Sequence, residues 1–300
     1  MKCKICRDRA VISLPQHNLA LCEEHFLARH ARIVLDTVKK FRMFGPDDRV
    51  AVAVSGGKDS LGLLQILVAE GVSAFGVFID LGLGEFQAMV NRAVEGFAIR
   101  FNAEVVRYSL AEHHGRSLPE LVAGRKGQMP CSFCGTLKRY LMNRVALENG
   151  ATVLATGHNL NDETAVLLAN ALRWDTPYLA RQNIVLASTH PKLLRKVKPL
   201  AFLTEKETGA YALLRGIGFV RESCPYSQGA RSLWFKRVMA EMEAHSPGTK
   251  LRFYKQFLRF RAEHLAREAE AAMRECESCG FPTTNPVCAF CRIVGEGQRP

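Results

Sequence analysis

The chain has 300 residues, enough for one sizeable core with small additions, and 48% of them are hydrophobic, as in a globular protein. Its net charge of +12, from 41 basic and 29 acidic residues, points to a polyanionic partner, either nucleic acid or an anionic membrane surface. No apolar run approaches the ~20 residues of a membrane-spanning helix, and Met1-Lys2-Cys3-Lys4 opens on a cysteine motif with no apolar leader, so a cytoplasmic protein with no membrane association is expected.

Ten cysteines in such a chain argue for metal or redox chemistry over structural disulfides. The first set is Cys3-x-x-Cys6, fifteen residues, then Cys22-x-x-His25, which supplies four ligands for tetrahedral zinc. Apolar Ile33, Leu35, Val38 and Phe41 predict an amphipathic helix over Phe26–Phe44, stopped by Gly45-Pro46. From there strands and helices alternate, the pattern of a parallel sheet covered on both faces. The predicted strands are Val50–Val54, Val72–Ile79, Val105–Tyr108, Thr152–Thr156 and Val197–Leu200. The predicted helices between them are Ser60–Glu70, Phe86–Phe101, Thr136–Asn149 and Asn161–Leu172.

The stretch after the first strand, Ser55-Gly56-Gly57-Lys58-Asp59-Ser60, leads straight into a helix. Glycines let the backbone approach an anion, and free N–H groups at a helix start point at it. It is not the γ-phosphate loop of kinases: Lys58 is followed by Asp59, and Val52 stands where that loop needs a glycine. A tight turn without a ligand also uses glycines and a serine cap, but six specified residues between a strand and a helix favour phosphate. Right-handed crossovers gather the strand C-terminal ends on one edge. Asp80 and Gly157-His158-Asn159 are expected there beside the glycine loop.

Beyond Leu200 helices dominate: Thr204–Arg215, Arg231–Glu243 and Lys250–Arg274, the last two parted by Pro247-Gly248. Basic residues concentrate in Lys192–Lys198 and in Lys250–Arg261. The second stretch interleaves Phe253, Tyr254, Phe257 and Phe260, which suits either stacking on bases or an aromatic core face. The chain closes with Cys276-x-x-Cys279, eight residues, then Cys288-x-x-Cys291. So short a segment has little core, and metal would supply its folding free energy. Such zinc knuckles bind RNA, clamp a domain or mediate dimers.

Three cysteines remain: Cys131, Cys134 and Cys224. Three thiolates are one short of a closed site, which fits a cluster with one open iron. It equally fits a redox pair, or a persulfide carrier with a resolving thiol. Spacing does not decide between them.

Taken together, the two terminal ligand sets, the loop Ser55–Ser60, Cys131-Ser132-Phe133-Cys134-Gly135, Gly157-His158-Asn159-Leu160-Asn161-Asp162-Glu163 and Cys224-Pro225-Tyr226 resemble the TtuA-type tRNA 2-thiouridine synthetases of the PP-loop (N-type ATP pyrophosphatase) superfamily. The resemblance spans essentially the whole chain, with Asn161 standing where relatives often have Asp. It implies an α/β fold with a Rossmann-like, five-stranded parallel sheet flanked by N- and C-terminal zinc fingers. The implied division is a finger over 1–28, a catalytic domain over 29–200, a helical region over 201–273 and a second finger over 274–300. The implied cofactors are ATP, Mg²⁺, two Zn²⁺ and a [4Fe–4S] cluster on Cys131, Cys134 and Cys224. The ATP site would comprise Ala53, Val54, Ser55, Gly56, Gly57, Lys58, Asp59, Ser60, Ile79, Asp80, Gly157, His158 and Asp162, with Asp59, Lys138 and Asp162 catalytic. The implied reaction adenylates the C2 oxygen of uridine or 5-methyluridine 54 of tRNA. Sulfur then replaces that oxygen, drawn from a ubiquitin-like carrier protein with a C-terminal thiocarboxylate. A homodimer is a further expectation. Wobble uridine 34 or cytidine 32 is the alternative target, and a zinc-knuckle RNA-binding module without catalysis is the alternative of another class.

Overall fold

The computed structural model describes residues 1–123, 130–227, 231–265 and 273–295. The chain opens on a hairpin of β1 (Ile12–Leu14) and β2 (Leu19–Leu21), followed by α1 (Glu23–Lys40). That helix starts directly after Cys22, three residues earlier than its apolar periodicity predicts. Its Lys39 and Lys40 complement the C-terminal dipole, and the chain leaves the helix well before Gly45-Pro46.

The central unit then runs β3 (Val50–Val54), α2 (Lys58–Ala69), β4 (Ala74–Asp80), α3 (Gly84–Phe101) and β5 (Val105–Ser109). Two short helices follow, α4 (Leu110–His114) and α5 (Leu118–Val122), then α6 (Pro130–Glu148), β6 (Val153–Thr156), α7 (Leu160–Ala171) and α8 (Thr176–Arg181). After β7 (Val185–Leu186) and β8 (Arg195–Val197) come α9 (Glu205–Leu214), α10 (Arg231–His245) and α11 (Thr249–His264). A last hairpin, β9 (Arg274–Glu275) with β10 (Pro282–Thr283), leads to α12 (Ala289–Val294).

The sheet order is β5-β4-β3-β6-β8-β7. Its first five members are parallel, as predicted, and β7 adds an antiparallel edge that periodicity did not reveal in two residues. The last parallel strand lies at Arg195–Val197, upstream of the predicted Val197–Leu200. The predicted helix Lys250–Arg274 is also corrected: α11 ends at His264, Arg274 belongs to the final hairpin, and residues 266–272 fall outside the described residues.

The unbroken apolar run of β3 serves two cores at once. Val50, Val52 and Val54 pack with α1, α2, α7 and α9, while Ala51 faces the opposite layer with Phe75, Val77 and Ile79 of β4. That opposite layer is α6, itself backed by the C-terminal hairpin and α12. Tyr140 of α6 stacks on Phe290 of α12 at 3.9 Å between ring centroids and meets Phe281 at 4.5 Å. Such aromatic pairs add to simple area burial. At the other end Glu207, fully buried on α9, accepts from Arg29 of α1 at 3.3 Å and completes a capping box with Thr204.

A second buried carboxylate holds α7 to its neighbours. Glu163 faces Lys198 Nζ at 2.8 Å and accepts the Tyr254 hydroxyl of α11 at 2.8 Å. Removing one partner of a buried ion pair leaves the other charge uncompensated. Glu163→Ala is therefore expected to lower unfolding free energy by about 3 kcal/mol in chemical denaturation, and a loss under about 1 kcal/mol would contradict the assignment.

Candidate functional site

The glycine loop is shaped by close contacts. Gly56 has φ +76°, and a β-carbon there would lie 2.7 Å from Val90 Cγ1 on α3, so only glycine fits. Ser60 Oγ donates to the Gly57 carbonyl at 3.2 Å and accepts from Ser55 N at 3.1 Å, closing the loop upon itself. The first amides of α2 carry no intrahelical partner, and Gly57 at its N-cap offers no side chain to take them. Gly157 presses from the β6–α7 turn onto that same helix start: a β-carbon there would lie 2.9 Å from Ser60 N and 3.0 Å from Ser60 Cα.

A cavity of about 270 Å³ opens over the loop. Of the residues the sequence singles out, Ala53, Val54, Ser55, Gly57, Asp59, Ser60, Ile79, Gly157, His158 and Lys138 line it. Lys138 reaches it from α6, together with Met142 one turn later. Leu83, Phe86, Gln87 and Val90 supply a mostly apolar wall that the sequence reading missed. The signal was available in the apolar face of α3, which periodicity assigns to core packing.

Four of the singled-out residues do not line the cavity. Gly56 acts through its conformation. Lys58 turns to α9, where Nζ meets Glu205 at 2.9 Å and Asp59 at 3.2 Å. Burial lowers its pKa, but Asp59 and Glu205 outweigh that and raise it. Asp80 sits at the end of β4 facing Arg107 at 2.7 Å, Gly82 N at 2.9 Å and Asn91 at 3.1 Å. Burial opposes its ionisation, yet these partners hold the carboxyl below the usual range. Asp162 occupies the first turn of α7, accepting from Asn159 N at 3.0 Å and meeting Lys236 of α10 at 2.6 Å. His158 shares a 2.8 Å hydrogen bond with Thr156. Asp59 also accepts from the Thr208 hydroxyl. Lys236, Glu205 and Thr208 are residues that no sequence motif marked, because they lie far along the chain from the loop, Glu205 147 positions from Lys58 and Thr208 149 from Asp59.

The three unassigned cysteines come from two segments that meet beside Lys138. Helix α6 begins at Pro130, six residues before its predicted start, because proline suits a first helical position. Cys131 and Cys134 therefore lie on successive turns of one face, with Lys138 one turn further. Cys131 Sγ donates to the Tyr226 carbonyl at 2.8 Å, in the turn that follows Cys224. Burial pushes the Cys134 thiol up, Lys138 opposes this, and the Cys224 and Cys131 thiols add to it. Cys134 thus interacts with both other thiols, Cys131 is exposed and Cys224 half-buried, and three sulfur donors with no fourth protein thiol among them fit a cluster that keeps one corner free of protein.

The terminal sets fit zinc. Their ligand atoms lie within 4.8 Å of one another in each set. Zinc with 2.3 Å bonds to sulfur places tetrahedral ligands about 3.8 Å apart. Cys6 and Cys22 are 3.6 Å apart, Cys3 and His25 3.9 Å, Cys279 and Cys288 3.7 Å, and Cys276 and Cys291 3.9 Å. Backbone amides support the thiolates: burial raises the Cys3 pKa, but N–H groups of Cys6, Cys22 and Ile5 bring it down to about 6.

Most of the basic stretch Lys192–Lys198 is used internally. Lys192 pairs with Glu275 at 2.7 Å, Arg195 with Asp48 at 3.3 Å and Lys198 with Glu163 at 2.8 Å. In the second stretch Tyr254 and Phe257 belong to the core, as an aromatic core face requires, while Phe260 is 50% exposed. Among the described residues no helix is long and apolar enough to cross a membrane.

The chain is similar over its length to known proteins. Residues 2–27 match the model of the 2-thiouridine synthetase TtuA N-terminal LIM domain, and residues 28–231 match the PP-loop domain. The chain is 43% identical to a tRNA-5-methyluridine(54) 2-sulfurtransferase of Thermus thermophilus, over 98% of this chain and 91% of the relative. It is 40% identical to the protein of that description in Thermotoga maritima, over 100% and 98%. The solved U34-tRNA thiolase NcsA from Methanococcus maripaludis, determined with its [4Fe-4S] cluster, superimposes with a TM-score of 0.81 at 26% identity, over 98% of this chain and 95% of that one. The PP-loop match over 28–231 and the identity along nearly the whole chain show the family: the chain belongs to the PP-loop tRNA 2-thiolation sulfurtransferases.

Proposed function

We propose that this sulfurtransferase adenylates the C2 oxygen of uridine or 5-methyluridine 54 of tRNA and exchanges it for sulfur. The observation that carries the reading is a shared cavity: the loop from β3 and Lys138 of α6 line one space, and Cys134 lies one turn from Lys138. A uracil oxygen is a poor leaving group. Attack of O2 on the α-phosphorus of ATP expels pyrophosphate and leaves O2 as a phosphate ester. A sulfur nucleophile then adds at C2, and AMP departs with the former O2. Thiocarboxylate sulfur is already at the sulfide level, so a ubiquitin-like carrier would supply it without a reductant, water cleaving the acyl C–S bond and leaving the carrier as a carboxylate.

The roles follow from charge and position. The free amides at the start of α2, with Ser55 and Ser60, would bind the departing pyrophosphate, and Asp59 would hold Mg²⁺ against it. The apolar wall of Leu83, Phe86 and Val90 suits an adenine ring. Lys138 would neutralise charge on the α-phosphate, and Asp162, fixed by Asn159, would orient the first turn of α7 toward the reacting groups. A [4Fe–4S] cluster on Cys131, Cys134 and Cys224 would supply a Lewis-acidic iron to hold sulfur there. Two Zn²⁺ would hold the terminal sets as structural ions.

Position 54 is favoured by the two relatives named for it at 43% and 40% identity. Wobble uridine 34 is the second reading, supported by the fold shared with the U34-tRNA thiolase. Nucleoside mass analysis of tRNA from a deletion strain is expected to lose 2-thio modification at position 54. Loss at 34 with 54 intact would select the second reading.

Anaerobically prepared protein should carry about four irons per chain with matching acid-labile sulfide. Joint Cys131→Ala, Cys134→Ala and Cys224→Ala changes should abolish both, and iron surviving them would refute the ligand set. Gly157→Ala should displace the first turn of α2, since the added methyl meets backbone atoms that cannot yield. ATP affinity is expected to fall at least about tenfold by calorimetry, and unchanged affinity would contradict phosphate binding at that turn.

A further inference from the structure

Three helix N-termini meet behind the phosphate loop. Gly157 packs α7's entry against Ser60 of α2, Leu160 N donates to the Leu203 carbonyl at 2.9 Å, and Glu205 N donates to Asn161 Oδ1 at 3.2 Å. Three first-turn carboxylates gather here, Asp59 on α2, Asp162 on α7 and Glu205 on α9, while the other first-turn acids of α7 and α9, Glu163 and Glu207, are paired elsewhere with Lys198 and Arg29. Acidic side chains there complement the helix dipoles. They are also the wrong charge for a site that must receive a triphosphate.

We propose that Lys236 of α10 sets the charge of this site, acting with Lys58 as counterion to the three carboxylates so that anionic Mg·ATP is accepted. This rests on the ATP reading given above. Lys58 is committed to Glu205 and Asp59, and its stem crosses Gly209 of α9, where an added methyl would touch Cε at 3.6 Å. Lys236 reaches in from α10 and meets Asp162 at 2.6 Å. Burial lowers the Lys236 pKa, but Asp162 first, then Glu205 and Asp59, outweigh it and raise it, so the ammonium interacts with all three acids. Three carboxylates against two ammonium groups leave a single net negative charge, and removing Lys236 doubles it. Lys250 and Glu243 lie close enough to interact with the group, but carry opposite charges and leave the count unchanged.

Lys236 also has a telling place in the chain. Helix α10 starts seven residues after Cys224, so the segment that carries the third cysteine also carries this counterion.

The test is equilibrium binding of Mg·ATP to the full chain, read by calorimetry without tRNA or iron. Lys236→Met is expected to weaken binding about tenfold, and Lys236→Arg to stay within about threefold of the parent. The double variant Lys236→Met with Glu205→Gln restores the charge count and is expected to bind more tightly than Lys236→Met alone. Thermal unfolding is followed in parallel for each variant. A double variant weaker than either single one would show a mechanical tie between helices and overturn the proposal, as would unchanged binding by Lys236→Met. Parent protein that binds no Mg·ATP would instead overturn the ATP reading, which separates the two failures.

Discussion

Everything at this site depends on one backbone-to-backbone contact, that of Gly157 against Ser60. Without a β-carbon at Gly157, the turn after β6 lies directly on the first turn of α2, and a methyl group would part them. Because β3 and β6 are hydrogen-bonded neighbours in the sheet, the two turns leave the same edge side by side. The starts of α2 and α7 are thus held together, the first amides of α2 free toward the cavity and those of α7 taken by Asn159 Oδ1 and the Leu203 carbonyl, and α9 joins as a third through Asn161 and Leu160. The geometry concentrates positive helix dipoles, which is the physical basis for binding pyrophosphate there.

The layers around the sheet explain how two chemistries reach one cavity. The face of β3 that carries Val50, Val52 and Val54 is closed by the helices that bring Asp59, Asp162 and Glu205. The other face is closed by α6, which brings Cys131, Cys134 and Lys138 to the same sheet edge. The C-terminal cysteine set backs α6 through Tyr140, Phe281 and Phe290, so a metal held there would support the helix that carries two of the central thiols. The N-terminal set continues into α1, which reaches α9 through Arg29 and Glu207. Both terminal modules therefore buttress elements that build the site.

Local signals were legible in the sequence where the chemistry is local. The loop Ser55–Ser60, the two ligand sets and the succession of strands and helices along the chain all rest on short spacings, whereas the order of the strands in the sheet does not. Helix α6 spans Pro130–Glu148, six residues ahead of the predicted Thr136, because its first turns carry Pro130, Cys131, Ser132 and Cys134 and little apolar periodicity. The strand Val185–Leu186 is too short for a period of two to register. Lys236, Glu205 and Thr208 were illegible for another reason: they serve the loop from distant helices, and only packing brings them together. Lys58 was assigned to phosphate by its place in the loop, and its side chain in fact spans Gly209 to reach Glu205. The proximity of Cys224 to Cys131, which spacing left undecided, follows from the contact between Tyr226 and Cys131.

The central claim is that ATP activates the very oxygen that sulfur replaces, within the single cavity formed by the loop and α6. The most direct measurement uses tRNA carrying ¹⁸O at the C2 carbonyl of nucleotide 54. After one turnover with the enzyme, ATP and a sulfur donor, the AMP is isolated and its mass determined. The account predicts AMP enriched by one ¹⁸O atom for each sulfur introduced. Thiolated tRNA accompanied by unlabelled AMP, with the ¹⁸O recovered in water, would contradict it.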